Sequence, residues 1–124
     1  MGEVRRAKPN GPAMSVTFTL DGQEYFALNG GPHYQLSPAF SMYVDCKDQK
    51  EVDELYSKLL SGGGKEEACG WIRDRFGLSW QIIPTVLPQL LYHKDPATAK
   101  RVFDAMMKMK KIIIADLEKA RDGK

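Results

Sequence analysis

The chain reads as an α+β fold: strands come first, one helix interrupts them, and helices close the sequence. Three observations carry that reading. Residues 15–29 alternate apolar and polar side chains on either side of Asp21-Gly22, the signature of a β-hairpin. Residues 48–61 place Val52, Leu55, Tyr56, Leu59 and Leu60 on one helical stripe. Residues 78–83 return to strand-like alternation before Pro84, and beyond it the apolar period is helical.

Taken in order, residues 1–13 are polar, with Pro9, Gly11 and Pro12, and read as a mobile lead-in with at most a short strand near 3–8. A strand over 15–20 and a return strand over 23–29 form the hairpin. Gly30-Gly31-Pro32 ends it, and a loop covers 33–38. A third strand spans 39–45. Asp48 is a natural N-cap for the helix at 48–61, with Glu51 three residues on, and Gly62-Gly63-Gly64 stops it. Strands follow at 67–73 and 78–83, separated by a turn at 74–77. A short helix runs over 86–92, Asp95-Pro96 opens a longer one, and a last helix lies near 115–121. The segments are 14–38, 39–84 and 85–124, expected as parts of a single domain over 14–124.

A length of 124 residues suits one core. At 43% hydrophobic and 27% charged, the composition is that of a globular protein. The longest unbroken apolar run, 112–115, is far short of the roughly 20 residues of a membrane span. No apolar stretch follows the basic start MGEVRRAKPNGP, so a signal peptide is not expected and a cytoplasmic location is. The net charge is +2 and the charges are interspersed, apart from the run at 108–111. Neither a nucleic-acid nor a membrane partner is expected. Cys46 and Cys69 form no CxxC pair and read as reduced thiols; His33 and His93 lack ligand spacing, which argues against structural zinc.

Alternation sorts the strands into two faces. Val16, Phe18, Phe26, Leu28, Phe40, Met42, Val44, Trp80 and Ile82 make an apolar set, expected to pack under the helices at 48–61 and 99–110. The opposite set includes Thr17, Tyr25, Asn29, Ser41, Tyr43, Gln81 and Ile83. Its hydroxyls, amides and aromatics suit a half-polar pocket for a small ligand, although a solvated sheet face alternates in the same way. Cys69 and Trp71 flank a glycine near Gln81, with Arg73 and Arg75 as cations able to activate a thiol. His33 sits in a loop at the rim.

Three stretches carry a resemblance: FTLDGQEYFALNGGP (18–32), CGWIRDRFGLSWQIIPT (69–85) and AKRVFDAMMKMKKIIIADLEKA (99–120). Together they resemble the PhnB-like branch of the vicinal-oxygen-chelate (glyoxalase/bleomycin resistance/dioxygenase) superfamily, often labelled 3-demethylubiquinone methyltransferase-like. The resemblance implies a glyoxalase-like fold of βαβββ modules, with a curved, mainly antiparallel sheet forming a cup and helices at the C-terminus. It also implies one further β–α element ahead of the segment that starts near Glu3. Without that element the first half-sheet has an exposed edge. A homodimer that completes the cup is favoured over the chain being a fragment.

In enzymes of the superfamily His and Glu residues in the cup hold a divalent metal. Gln81 stands where the resemblance implies a glutamate, Ala27 where it implies a carboxylate, and Ala39 or Ser41 where it implies a histidine. An amide oxygen is a weak ligand and Ala and Ser offer almost nothing to a transition metal, so no metal and no cofactor are expected. The methyltransferase label gains no support from the glycines. A cofactor-binding loop opens a helix after a strand, whereas Gly62–Gly64 follows one. The expected function is small-molecule binding in a metal-free cup, with Gln81, Tyr43, Ser41, Asn29, Tyr25, Thr17, Cys69, Trp71 and His33 as ligand-binding candidates and no catalytic residue assigned. The alternatives are a superfamily enzyme of lyase, transferase or dioxygenase type acting on a small oxygenated metabolite, and an interaction fragment without pocket chemistry.

Overall fold

A computed structural model describes all 124 residues, and the fold is α+β. The chain divides into two compact units, Met1–Gln35 and Leu36–Lys124.

The first unit is a three-stranded antiparallel sheet in the order β1 (Val4–Arg6), β2 (Ala13–Leu20), β3 (Gln23–Leu28). Asp21 and Gly22 take φ of 49° and 81°, the left-handed pair whose twist matches the flanking strands. That two-residue turn pairs Leu20 with Gln23, and therefore Phe18 with Tyr25 and Thr17 with Phe26. The register corrects the face assignment made from sequence. Because every pair joins an even-numbered to an odd-numbered residue, Val16 and Phe18 share their face with Ala27 and Tyr25. Phe26 and Leu28 lie on the other face with Thr17 and Ser15. The Phe18 and Tyr25 rings stack at 5.6 Å between centroids, while Phe26 and Leu28 remain 65% and 68% exposed. The N-terminal lead-in is held: Glu3 N donates to Thr17 Oγ1 at 2.7 Å, and Gly2 N to Thr17 O at 2.8 Å.

The second unit runs β4 (Ser41–Cys46), α1 (Gln49–Leu60), β5 (Lys65–Glu66), β6 (Trp71–Arg73), β7 (Ser79–Pro84), α2 (Val86–Leu91), α3 (Pro96–Met107) and α4 (Ile114–Arg121). Its sheet has the order β4-β7-β6-β5, with β4 parallel to β7 and the remaining pairs antiparallel. This is the strand–helix–strand–strand–strand arrangement of a glyoxalase-like module. The parallel pair follows from α1, because a crossover helix returns the chain in the original direction. Asp48 caps α1 as expected, its Oδ1 accepting from Glu51 N at 2.9 Å.

Two strand boundaries differ from expectation. Phe40 lies outside β4, in a turn where its N–H donates to Ser37 O at 3.3 Å, and is 63% exposed. Of the strand expected over 67–73 only β6 at its end is formed; β5 precedes that range, and between the two lies a turn in which Cys69 and Gly70 have φ of 59° and 85°. Their amides leave the sheet to bond Met109 O at 2.9 Å and Lys110 O at 2.7 Å in the α3–α4 connection.

Two cores flank the sheet. Cys46, Val52, Tyr56, Ile72 and Ile82 are buried between the sheet and α1, with Val44 and Trp80 packed against them. On the opposite face Ile83 joins Leu87, Leu90, Val102, Ile112 and Leu117 from α2–α4 and the chain between them. The expectation that α1 and α3 share one apolar face is thus corrected. Alternation along β7 sends Ile82 one way and Ile83 the other, and once α1 fills the Ile82 side the C-terminal helices take the Ile83 side. Gln49 ties the helices together: its Oε1 accepts from Ile114 N at 2.8 Å and its Nε2 donates to Ile112 O at 3.0 Å. It acts as the cap that α4 lacks, since Ile113 has no capping side chain.

Candidate functional site

The pairing of β4, β7 and β6 places Tyr43 beside Gln81 and Gln81 beside Trp71. These three side chains form a row across the sheet on the Ile83 face. The next row along is Ser41, Ser79 and Arg73. The C-terminal helices cover only the Ile83 end of this face. Leu87, Pro88, Leu91 and Tyr92 on one side and Met106 of α3 on another, with Cys69, close a recess of about 400 Å³ around the Tyr43–Gln81–Trp71 row. Small-ligand sites span about 300–1,000 Å³, so a compact organic molecule fits.

The polar groups in the recess are few and distinct. Gln81 Nε2 donates to Ser41 Oγ at 2.9 Å, which leaves the Ser41 proton and the Gln81 carbonyl oxygen for a ligand. Although Tyr43 is half exposed, partial desolvation and then the nearby Asp45 carboxylate push its hydroxyl above its ordinary pKa. At neutral pH it therefore serves as a hydrogen-bond donor. Cys69 lies within 3.7 Å of the Met107 thioether. The two arginines considered as activators are engaged elsewhere, Arg73 with Glu67 at 3.4 Å and Arg75 over the Phe76 ring at 4.6 Å.

Of the nine candidates read from the sequence, Tyr43, Gln81, Cys69 and Trp71 line one recess, and Ser41 bonds one of them. The other four belong to the first unit. There Thr17 anchors Glu3, Tyr25 stacks on Phe18, and Asn29 Nδ2 donates to Ala13 O at 3.3 Å. His33 is exposed in a turn. Thr17 lies on the face opposite Tyr25, a second consequence of the hairpin register. The sequence reading attached no site role to Leu87, Pro88, Leu91, Tyr92 or Met106. For Leu87, Pro88, Leu91 and Tyr92 the signal is an apolar edge along α2 and its C-cap; Met106 adds one apolar residue from α3.

The donor set does not fit a divalent metal. Gln81 and Ser41 are neutral, and no three His, Cys, Asp or Glu side chains come together in a way that holds an ion. No helix is long and apolar enough to cross a membrane.

The family model described as 3-demethylubiquinone-9 3-methyltransferase matches residues 2–83. No protein of curated function matches the chain. Among solved structures, a putative 3-demethylubiquinone-9 3-methyltransferase, PhnB protein, from Bacillus cereus is 30% identical over 64% of this chain and 74% of its own, with a TM-score of 0.56. The family match takes in the hairpin and both rows of the sheet face, and it stops just before the α2 wall. With two-thirds of its length matched, the chain belongs to this PhnB-like family of glyoxalase-like proteins.

Proposed function

We propose that the protein binds a small, largely apolar molecule in the recess over β4, β7 and β6, without a metal ion. The observation that supports this most is the Tyr43–Gln81–Trp71 row. An aromatic plane, an unengaged amide oxygen and a protonated phenol converge in a concave, otherwise apolar space. Such a combination orients a ligand by a few hydrogen bonds while burial supplies the affinity. The neutral donor set supports binding rather than metal-assisted chemistry. Methyl transfer, the activity in the family's description, has no glycine-rich loop opening a helix to support it, since Gly62 and Gly63 follow α1.

The test is a panel of compact aromatic and alicyclic compounds, read by Trp71 fluorescence against a Trp71→Phe control. Saturable quenching that disappears in Trp71→Phe and weakens about tenfold in Gln81→Leu is the expected result, the loss of one hydrogen bond into a buried ligand. A panel that leaves wild-type fluorescence and thermal midpoint unchanged refutes the reading. A homodimer belongs to the same proposal. Phe26 and Leu28 expose more apolar surface than a solvated hairpin tolerates comfortably, and sedimentation showing a monomer at micromolar concentration removes it.

A further inference from the structure

Arg73 is the outlier among the charged side chains of the second unit. Its Nε is buried and has no hydrogen-bond partner. Its only ionic contact, Nη2 to Glu67 Oε1, is long at 3.4 Å, with both side chains about 40% exposed. A buried guanidinium N–H without an acceptor is costly, so Arg73 keeps donor capacity that its own chain does not use. Arg73 projects from the same sheet face as Trp71, two residues along β6, and shares its row with Ser79 and Ser41. Ser79 is buried. Ser41 accepts from Gln81 and so has its own proton to give. The row lies just beyond the lining of the recess, roughly 7 Å from the Tyr43–Gln81–Trp71 row by the rise of two strand residues, and offers the Arg73 cation and the Ser41 hydroxyl at its edge.

We infer that the ligand of the recess is an organic acid whose apolar body lies against Trp71, Leu91 and Met106 and whose carboxylate reaches past them to Arg73 and Ser41. The inference rests on the recess being a binding site and names the chemical class it takes. A guanidinium matches a planar carboxylate in a two-point contact. A single arginine, drawn from its long contact with Glu67 when the ligand binds, balances one negative charge and not two, which favours a monocarboxylate over a phosphate ester.

The test compares naphthalene-2-carboxylate with naphthalene-2-carboxamide, a pair of nearly equal shape that differs in charge. Titration calorimetry gives the affinities, and amide shifts of Trp71 and Gln81 locate the binding. The wild type is expected to bind the acid about tenfold more tightly than the amide, with the ratio shrinking as salt is raised. Arg73→Gln is expected to bring the ratio to about one, chiefly by weakening acid binding. Glu67→Gln, which removes the competing carboxylate, is expected to strengthen acid binding by roughly threefold, the scale of an exposed ion pair. Equal binding of acid and amide by the wild type, or a preference that survives Arg73→Gln, overturns the inference and leaves the recess reading standing. If neither compound moves the Trp71 or Gln81 resonances, both fall together.

Discussion

Replacing Gln49 with alanine removes three hydrogen bonds from one side chain. Oε1 loses Ile114 N at 2.8 Å, and Nε2 loses Ile112 O at 3.0 Å and Asp53 Oδ1 at 2.9 Å. The first two matter most, because they satisfy backbone groups at the entry to α4, beside the fully buried Ile112. At about 1 kcal/mol net for each, with some further cost for stranding the Ile114 amide, the loss comes to roughly 2–3 kcal/mol. Asp53 is exposed and adds little. Both tryptophans, Trp71 and Trp80, lie in the second unit, so their fluorescence during urea unfolding reports on that unit alone. With an m-value of about 2 kcal/mol/M the midpoint should fall by about 1 M while the slope stays constant. Gln49→Glu keeps the acceptor for Ile114 N but sets a carboxylate oxygen against Ile112 O and Asp53 Oδ1, so it should cost at least as much in total stability while leaving the Ile114 amide capped. Hydrogen exchange at the Ile114 amide should speed up in Gln49→Ala and not in Gln49→Glu. A Gln49→Ala loss below about 0.5 kcal/mol, or equally fast Ile114 exchange in the two variants, refutes the assignment of Gln49 as the cap of α4.

Two further outcomes follow from the second unit. A Cβ at Gly70 meets Ile83 Cδ1 at 2.9 Å and Ile112 Cγ1 and Ile82 O at 3.0 Å, whereas at Gly77, with a similar φ of 91°, it meets nothing within 4 Å. Both substitutions to alanine pay the left-handed backbone cost of about 1–2 kcal/mol, so Gly70→Ala should lower the urea midpoint well beyond Gly77→Ala; equal midpoints would count against the packing described around Gly70. Burial, with nearby carboxylates, pushes the Cys46 thiol from 9.0 up to about 11, and burial with the Glu66 hydrogen bond raises Tyr56 in the same core. A raised folded-state pKa means stability that is present below pH 9 and lost as the pH climbs through 11. Unfolding free energy should decline across that interval, and at pH 8 a thiol reagent should label Cys69 in native protein and Cys46 only after urea is added. Native labelling of Cys46, or a flat alkaline profile, would contradict this placement.

Much of the fold is legible in the sequence because it rests on local chemistry. Asp21-Gly22 sets a hairpin, Asp48 starts α1, Asp95 and Pro96 start α3, and alternation over 78–83 marks β7. What alternation cannot supply is the partner of each strand. Gathering of apolar side chains alone would put Phe26 and Leu28 on the face of Phe18. The two-residue turn sets the register regardless of that preference, and it sends them the other way. In the same manner the break at Cys69-Gly70 is invisible to propensity, since its cause is a pair of carbonyls on Met109 and Lys110, some forty residues onward.

The candidate site divides along the same line. The sequence by itself determined that Tyr43, Gln81 and Trp71 sit at alternating positions of strands with a polar face. Only the tertiary structure decided that the three form one row, that α2 and α3 wall it into a recess, and that Arg73 is left on that face with a buried, unpartnered N–H. Periodicity records which way a side chain points from its own strand; which strand lies beside it depends on a crossover helix and a turn acting across long stretches of chain.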